Sequence, residues 1–360
     1  MINLPPENRT VVVRNLLAWY KKHKRALPWR QTADPYRIWI AEIMLQQTQV
    51  DTVIPYYHCF LNTFPTVEAL AGAALEDVLK VWENMGYYSR AQNLHRAAGM
   101  VVDRFGGKIP DSHENLMRLP GIGVYTAGAV LSIAYGKAVP AVDGNVRRVI
   151  SRLFAVRNPL NDPQTQKQIN HLAAALVPAQ NPGAFNQALM DLGATVCKAG
   201  KPVCALCPLT GQCRAHSLGL QNTIPPAAKR PALPHRQAAV AVVFDQGGRL
   251  LVVQRPSKGL LASLWKLPGG FIQDVGTGKN DLRMQVREEL GIRIRVGQPL
   301  ASVDHAYTHF RLTLHAFEGR ILEGSPCPLG CQAWRWIRPE DLKTLTFSKV
   351  DRMILEAVLS

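Results

Sequence analysis

Leu119-Pro120-Gly121-Ile122-Gly123 and, one helical segment later, Val139-Pro140-Ala141-Val142-Asp143-Gly144-Asn145-Val146-Arg147-Arg148 decide how the rest of the chain is read. The two glycines permit a tight turn between helical segments, expose backbone N–H groups to one phosphate, and leave the next helix to add its N-terminal dipole. Asp143 opens the following helix. Its short carboxylate suits an N-cap, and it also suits a functional acid whose direction the cap would fix. Further out, Trp39-Ile40-Ala41-Glu42-Ile43-Met44-Leu45-Gln46-Gln47-Thr48-Gln49 places Glu42 inside an apolar helical run with little polar face. That predicts a half-buried carboxyl with a raised pKa.

The surrounding chain has 360 residues, enough for two domains that each bury a core. Charged residues are 19% and hydrophobic ones 47%, a globular composition. The net charge is +16, divided as +9 over 1–225 and +7 over 226–360. Basicity on both halves suits a polyanion such as nucleic acid, and equally a generic basic surface. No apolar run reaches the roughly 18 residues of a membrane span. Met1–Thr10 lacks the apolar core of a secretory signal and the Arg/Ser-rich character of a transit peptide, so a cytoplasmic, nucleoid-associated protein is expected.

Residues 11–215 show apolar 3–4 spacing with short breaks, as in Val11–Tyr20, Ile38–Phe60, Val67–Glu83, Arg90–Phe105, Tyr125–Tyr135, Gly144–Phe154 and Gln164–Leu176. A mostly helical domain over 1–221 follows. Residues 222–236 hold Pro225, Pro226, Pro231 and Pro234 beside Lys229, Arg230 and Arg236, a stiffened linker. From 237 to 360 the pattern is α+β, with strand-like Ala238–Phe244, Arg249–Gln254 and Phe310–Phe317, a turn at Gly247-Gly248, and a helix ending near Gln285–Leu290.

Cys197, Cys204, Cys207 and Cys213 are spaced C-x6-C-x2-C-x5-C. Four thiols this dense suit an iron–sulfur cluster or tetrahedral zinc; zinc sites more often pair two C-x2-C knuckles. Bound, the group would staple a loop bearing Lys198 and Lys201. Cys59 reads as core, and Cys327 and Cys331 lack visible partners.

The hairpin, the Asp143 segment, the cysteine spacing, Leu27-Pro28-Trp29-Arg30, Ala41–Gln49 and Gly86-Tyr87-Tyr88-Ser89-Arg90 together resemble the catalytic domain of the MutY family, the adenine DNA glycosylases of the endonuclease III superfamily. The resemblance spans roughly 10–215. It implies a helix-hairpin-helix domain with a [4Fe-4S] cluster on the four cysteines, acting on double-stranded DNA with adenine opposite 8-oxoguanine or guanine. Glu42 would protonate adenine, and Asp143 would stabilise the oxocarbenium-like sugar, the division of labour between two unlike carboxylates that glycosidic cleavage needs. Endonuclease III carries a Schiff-base Lys where this chain has Tyr125. A phenol forms no imine, so a monofunctional enzyme is expected, with Tyr125 bonded to Asp143 and Asn145 orienting the pair; packing alone is the other reading of Tyr125. By motif position Trp29, Arg30, Leu45 and Gln187 would line the adenine pocket, though core packing is a rival role for the aromatic residues. Gln47 and Tyr87 would wedge the flipped-out stack, with Thr48 and Met85 near the opposite base and Gly121 and Gly123 on a phosphate.

The second domain resembles a Nudix fold. Laying G-x5-E-x7-R-E-U-x-E-E-x-G-U on Gly270 keeps Glu288, Glu289, Gly291 and Ile292 but substitutes Gly276, Met284 and Gln285. Diphosphatase activity is therefore not expected. The resemblance implies an 8-oxoguanine reader at Tyr307-Thr308-His309, where the family carries Phe-Ser-His; ordinary strand positions are the alternative. An oxidised-pyrimidine glycosylase/lyase, a nucleotide diphosphatase and a non-catalytic mismatch binder are the rival functions. No heptad or apolar seam marks an oligomer, so a monomer is expected.

Overall fold

The computed structural model describes residues 6–226, 232–273 and 278–359. Pro231, Lys229 and Arg230 of the expected linker, and Gly276 of the Nudix alignment, lie outside them. The helices are α1 (Pro6–His23), α2 (Pro35–Met44), α3 (Val50–Thr63), α4 (Val67–Gly72), α5 (Leu75–Val81), α6 (Ser89–Phe105), α7 (His113–Met117), α8 (Val124–Ile133), α9 (Gly144–Leu153), α10 (Pro163–Leu176), α11 (Pro182–Thr195), α12 (Arg214–Ser217), α13 (Gly278–Leu290) and α14 (Lys349–Leu359). Among the described residues no helix is long and apolar enough to cross a membrane.

The chain packs as two units. One gathers described residues up to Gly72 and from Arg96 to 226; the other gathers Ala73–His95 with the described residues after the linker. A single division at 222–236 therefore does not describe residues 73–95. Specific polar contacts hold them in the second unit: Trp265 donates Nε1–H to Glu76 (2.9 Å), and Gln92 donates to the Ala262 carbonyl (2.6 Å).

In the first unit, side-chain caps set several helix starts. Asp34 accepts from the Tyr36 N–H ahead of α2, and Asp162 from the Thr165 N–H ahead of α10, each followed by a proline at the first helical position. Val146, Val149, Ile150 and Leu153 on α9 pack with Phe185, Leu189 and Leu192 on α11 and Val12 and Leu16 on α1. Two expected helical runs are broken. Ile38–Phe60 divides into α2 and α3, because Gln46–Gln49 has no apolar side chain to bury and Gln47 adopts φ +57°. Val67–Glu83 divides at Ala74, which is extended (ψ 141°). Cys59, expected in the core, lies exposed within α3: its helix buries Val53, Tyr57, Phe60 and Leu61, and position 59 points off that stripe.

In the second unit, β1 (His235–Val243), β2 (Leu250–Gln254), β3 (Trp265–Lys266), β4 (Gly269–Ile272), β5 (Arg293–Ala306), β6 (Arg311–Glu323) and β7 (Ala333–Ile337) form two sheets, ordered β4-β1-β6-β5 and β3-β2-β7. Among the described residues, only β1 and β6 of the paired strands run parallel. Strand β1 is buried on both faces with a period of two. Ala238, Val240 and Val242 join Leu312, Leu314, Phe347 and Ile354, while Ala239, Ala241 and Val243 join Leu282, Val286 and Leu290 of α13.

Candidate active site

A cavity of about 1060 Å³ opens in the first unit, just above the usual upper size of small-molecule sites. Trp29, Arg30, Glu42, Leu45, Gln47, Thr48, Tyr125, Asp143, Asn145, Gln187 and the hairpin residues Gly121 and Gly123 all border it. Gly121 takes φ +81°, the left-handed geometry its turn requires, and Gly123 stands at the N-cap of α8.

Glu42 is more deeply placed than the sequence suggested, at 4% exposure on α2. Burial pushes its carboxyl up to about 7. A hydrogen bond from Tyr125 pulls it down, the nearby Asp143 carboxylate pushes it up, and Arg30 lowers it. The Tyr125 hydroxyl donates to Glu42 Oε2 at 2.5 Å, whereas a bond to Asp143 was expected. Packing of α8 on α2 brings the phenol to Glu42. The Asp143 oxygens are already engaged: Oδ1 accepts the Val146 N–H (2.7 Å) and Oδ2 accepts from Asn145 Nδ2 (3.0 Å). Asp143 thus caps α9 while bordering the cavity. Burial raises its pKa, against the pull of those two donors and of Arg148.

Asn145 is itself held. Its Oδ1 accepts from Arg148 Nη2 (2.9 Å), which also donates to the Gly193 carbonyl (2.7 Å), while Arg148 Nε donates to the Cys197 carbonyl (2.8 Å). A Cβ on Gly193 would stand 2.7 Å from Asn145 Cβ, so only glycine lets α11 approach the start of α9 this closely.

Asp191 was missed. It is fully buried on α11 and grips Arg30 through two bonds (2.6 and 2.8 Å) and Arg25 Nε through a third (2.7 Å). Burial raises its carboxyl, but the two guanidinium groups outweigh that and hold it below the usual range. Arg30 borders the cavity as the restrained half of an ion pair. Gln187 Oε1 likewise accepts from the Tyr20 hydroxyl (2.8 Å). The available signal was spacing: Gln187 and Asp191 are four apart, on one helix face. Trp29 is buried edge-on to Tyr57, at 5.4 Å between ring centroids.

Cys197, Cys204, Cys207 and Cys213 border one small cavity with Arg152, Thr210 and His216. Among the described residues, no group of three or more His, Cys, Asp or Glu side chains is set to hold a metal ion. The donor set nevertheless fits a soft, thiolate-bound group. Arg152 Nη1 donates to Cys197 Sγ (3.3 Å), the Leu209 N–H faces the Cys207 sulfur, and the His216 and Ala215 N–H groups face Cys213. Such donors stabilise sulfur anions. Burial meanwhile pushes the bare Cys207 thiol up to about 11.

The remaining predicted residues belong to the second unit, together. Met85 is buried. Tyr87 is 39% exposed, with φ +47°, and its Oη lies 2.6 Å from Thr308 Oγ1. An aromatic residue in this region carries strain of about 1–3 kcal/mol. Tyr307 packs against His305 (4.6 Å) and Phe310 (4.9 Å). Both turns, with His309, border a cavity of about 440 Å³. Of the two Nudix-type carboxylates, Glu288 is exposed and Glu289 accepts from the buried Lys266 ammonium (2.8 Å) and the Gly269 N–H (3.2 Å).

The model of the HhH-GPD superfamily base excision DNA repair proteins matches residues 40–178, and that of the NUDIX domain matches 239–357. The adenine DNA glycosylases of Rattus norvegicus and Homo sapiens are 34% and 35% identical to this chain. These alignments cover 94% and 93% of it and 76% and 71% of the relatives. A solved thermostable thymine-DNA glycosylase shares the fold at a TM-score of 0.54 and 32% identity, covering 59% of this chain and 98% of its own. With a buried acid, a capped carboxylate and a hairpin converging on one cavity, the chain belongs to the adenine DNA glycosylase family and is a DNA N-glycosylase of base excision repair.

Proposed function

We propose that this enzyme removes adenine opposite 8-oxoguanine or guanine, by a monofunctional mechanism run by Glu42 and Asp143. The observation that carries the reading is the pairing of unlike carboxylates in one cavity. Glu42, pushed up to about 7, keeps a large protonated fraction at neutral pH, roughly half; Asp143 is fixed by a cap and an amide. Adenine flipped into the cavity would take the Glu42 proton at N7. As the C1′–N9 bond breaks, its electron pair leaves with the base, and the Asp143 carboxylate stabilises or briefly bonds the sugar cation. Water then adds to C1′ with retention and gives a proton back to Glu42. Asn145, locked by Arg148, keeps the Asp143 oxygens directed. The Tyr125 phenol holds the Glu42 carboxyl in place and offers no amine for imine formation.

Cys197, Cys204, Cys207 and Cys213 would hold a [4Fe-4S] cluster. Bound, it supplies iron–sulfur crosslinks across 197–213; this chain's Arg148 and Arg152 tie that loop to α9. Trp29, Leu45 and Gln187 would line the adenine, Gln47 and Tyr87 would wedge the stack, and Thr48 and Met85 would border the opposite base. Gly121 and Gly123 would take a phosphate, and Tyr307, Thr308 and His309 would read 8-oxoguanine. With Glu289 engaged by Lys266, the Nudix-like unit is a binding module without diphosphatase activity.

The test is single-turnover incubation with a duplex carrying adenine opposite 8-oxoguanine, followed by alkali. Alkali-dependent abasic sites from the wild type and none from Glu42→Gln are expected. Strand breaks without alkali would overturn the monofunctional reading, and tight binding without base loss would overturn the catalytic one.

A further inference from the structure

The turn carrying Tyr87 is held from behind by a carboxylate that borders neither cavity. Asn84, Gly86 and Tyr87 take φ of +69°, +76° and +47°, a run that ordinary side chains avoid. Glu83 immediately precedes it, with its side chain 13% exposed. Glu83 Oε1 accepts from the Phe347 N–H (3.3 Å) and from Arg352 Nε (3.0 Å) and Nη2 (2.8 Å), and Oε2 accepts from Lys80 Nζ (2.5 Å). Across the turn, Tyr88 Oη accepts the Asn84 N–H (3.0 Å) and donates to the Phe347 carbonyl (3.4 Å). Arg90 and Trp82 both donate to the Gly86 carbonyl, at 3.2 and 3.1 Å. The front of the turn meets the other loop at Tyr87 and Thr308, 2.6 Å apart.

We propose that Glu83 is a positioning residue for recognition of the base opposite adenine: by clasping Phe347 and Arg352, beside and on the α14 that packs on β5, it sets the Tyr87 turn against the Thr308 turn across the cavity they share with Ser348 and Lys349. The inference rests on the reading that those two turns face the opposite base. A carboxylate kept only for stability would affect all duplexes alike. One that sets the spacing of two recognition groups affects the choice between duplexes. Glu83→Gln leaves Arg352 with the Leu342 and Leu345 carbonyls, so the fold keeps acceptors for the released donor.

The experiment measures, on the full-length holoenzyme, the dissociation constants for duplexes with a non-cleavable 2′-fluoro adenosine opposite 8-oxoguanine and opposite guanine. Wild type, Glu83→Gln, Arg352→Lys, Thr308→Ala and Glu83→Gln/Thr308→Ala are compared, with melting curves alongside. Glu83→Gln and Arg352→Lys are each expected to lower the preference for 8-oxoguanine by about fivefold or more, and the double variant to lose no more than Thr308→Ala alone, as coupled groups do. The saturating single-turnover rate opposite 8-oxoguanine should stay within about twofold for Glu83→Gln, since the clasp touches no reacting group. An unchanged preference in both clasp variants while Thr308→Ala loses it would overturn the proposal. So would equal weakening on both duplexes. An unchanged preference in Thr308→Ala would instead overturn the reading of the opposite base, and the inference with it.

Discussion

At pH 8 the Glu42 carboxyl is charged in a place that burial makes hostile to charge. Its folded pKa, about 7, stands above the ordinary 4.5, so the neutral form is the one the fold favours. Below pH 4.5 the group costs almost nothing; the cost grows as pH rises from 4.5 to about 7 and levels off above that at about 3 kcal/mol. Glu42→Gln should therefore gain about that much stability at pH 8 and almost none at pH 4, measured by denaturant unfolding, while losing base excision. Equal gains at both pH values would sink the argument. Excision by the wild type should fall as pH rises past 7. Tyr125→Phe removes the hydrogen bond that lowers the Glu42 pKa, so the fall should move to higher pH; a move to lower pH would mean the phenol stabilises the acid form. Glu42 was legible in the sequence because an acid surrounded by Ile40, Ala41, Ile43 and Met44 has no polar face to occupy. The partner of Tyr125 was not, because it depends on which of two carboxylates the packing of α8 on α2 brings within reach. Asp191 was equally hidden: its partners Arg25 and Arg30 lie more than 160 residues upstream.

Helix α9 joins catalysis to stability through one residue, and the two can be separated. Asp143→Asn keeps an N-cap oxygen for the Val146 N–H but loses the charge. Its stability should stay near wild type while excision falls by about 10²-fold or more. Asp143→Ala should lose activity and a further ~1 kcal/mol of stability. A large stability loss in Asp143→Asn would mean the charge, not the cap, holds the helix. The ends of α6, α9 and α10 were readable to within a residue or two from 3–4 spacing, helped by the Asp143 cap on α9 and by Asp162 and Pro163 on α10. The break between α2 and α3 was not, since Gln46–Gln49 is polar without Gly or Pro, and its turn, with Gln47 at φ +57°, is held by a bond from Gln46 Nε2 to Thr126 on α8 (3.2 Å). In the second domain, short strand-like runs around the Gly247-Gly248 turn marked β1 and β2, while the length of β5 escaped notice because its register shifts near Pro299 interrupt the pattern.

On the scale of the whole molecule, composition suggested two domains and the packing supplies two units, but residues 73–95 join the later one. Linear sequence could not show this, because Glu76 and Glu83 find Trp265, Phe347 and Arg352 only after folding. A chain ending at Pro226 keeps Glu42, Tyr125 and Asp143 yet removes those partners. Amide hydrogen exchange over Leu75–Tyr88 should be markedly faster in it than in the full chain, and unchanged protection would mean the first unit alone holds the segment. The same excursion governs how the protein is made. Residues 73–95 leave the ribosome about 250 residues before Arg352, which at ordinary elongation rates is roughly 10–50 s. Throughout that interval Glu83 lacks the Phe347 and Arg352 donors, so the set of the Tyr87 turn is completed only once α14 has been synthesised.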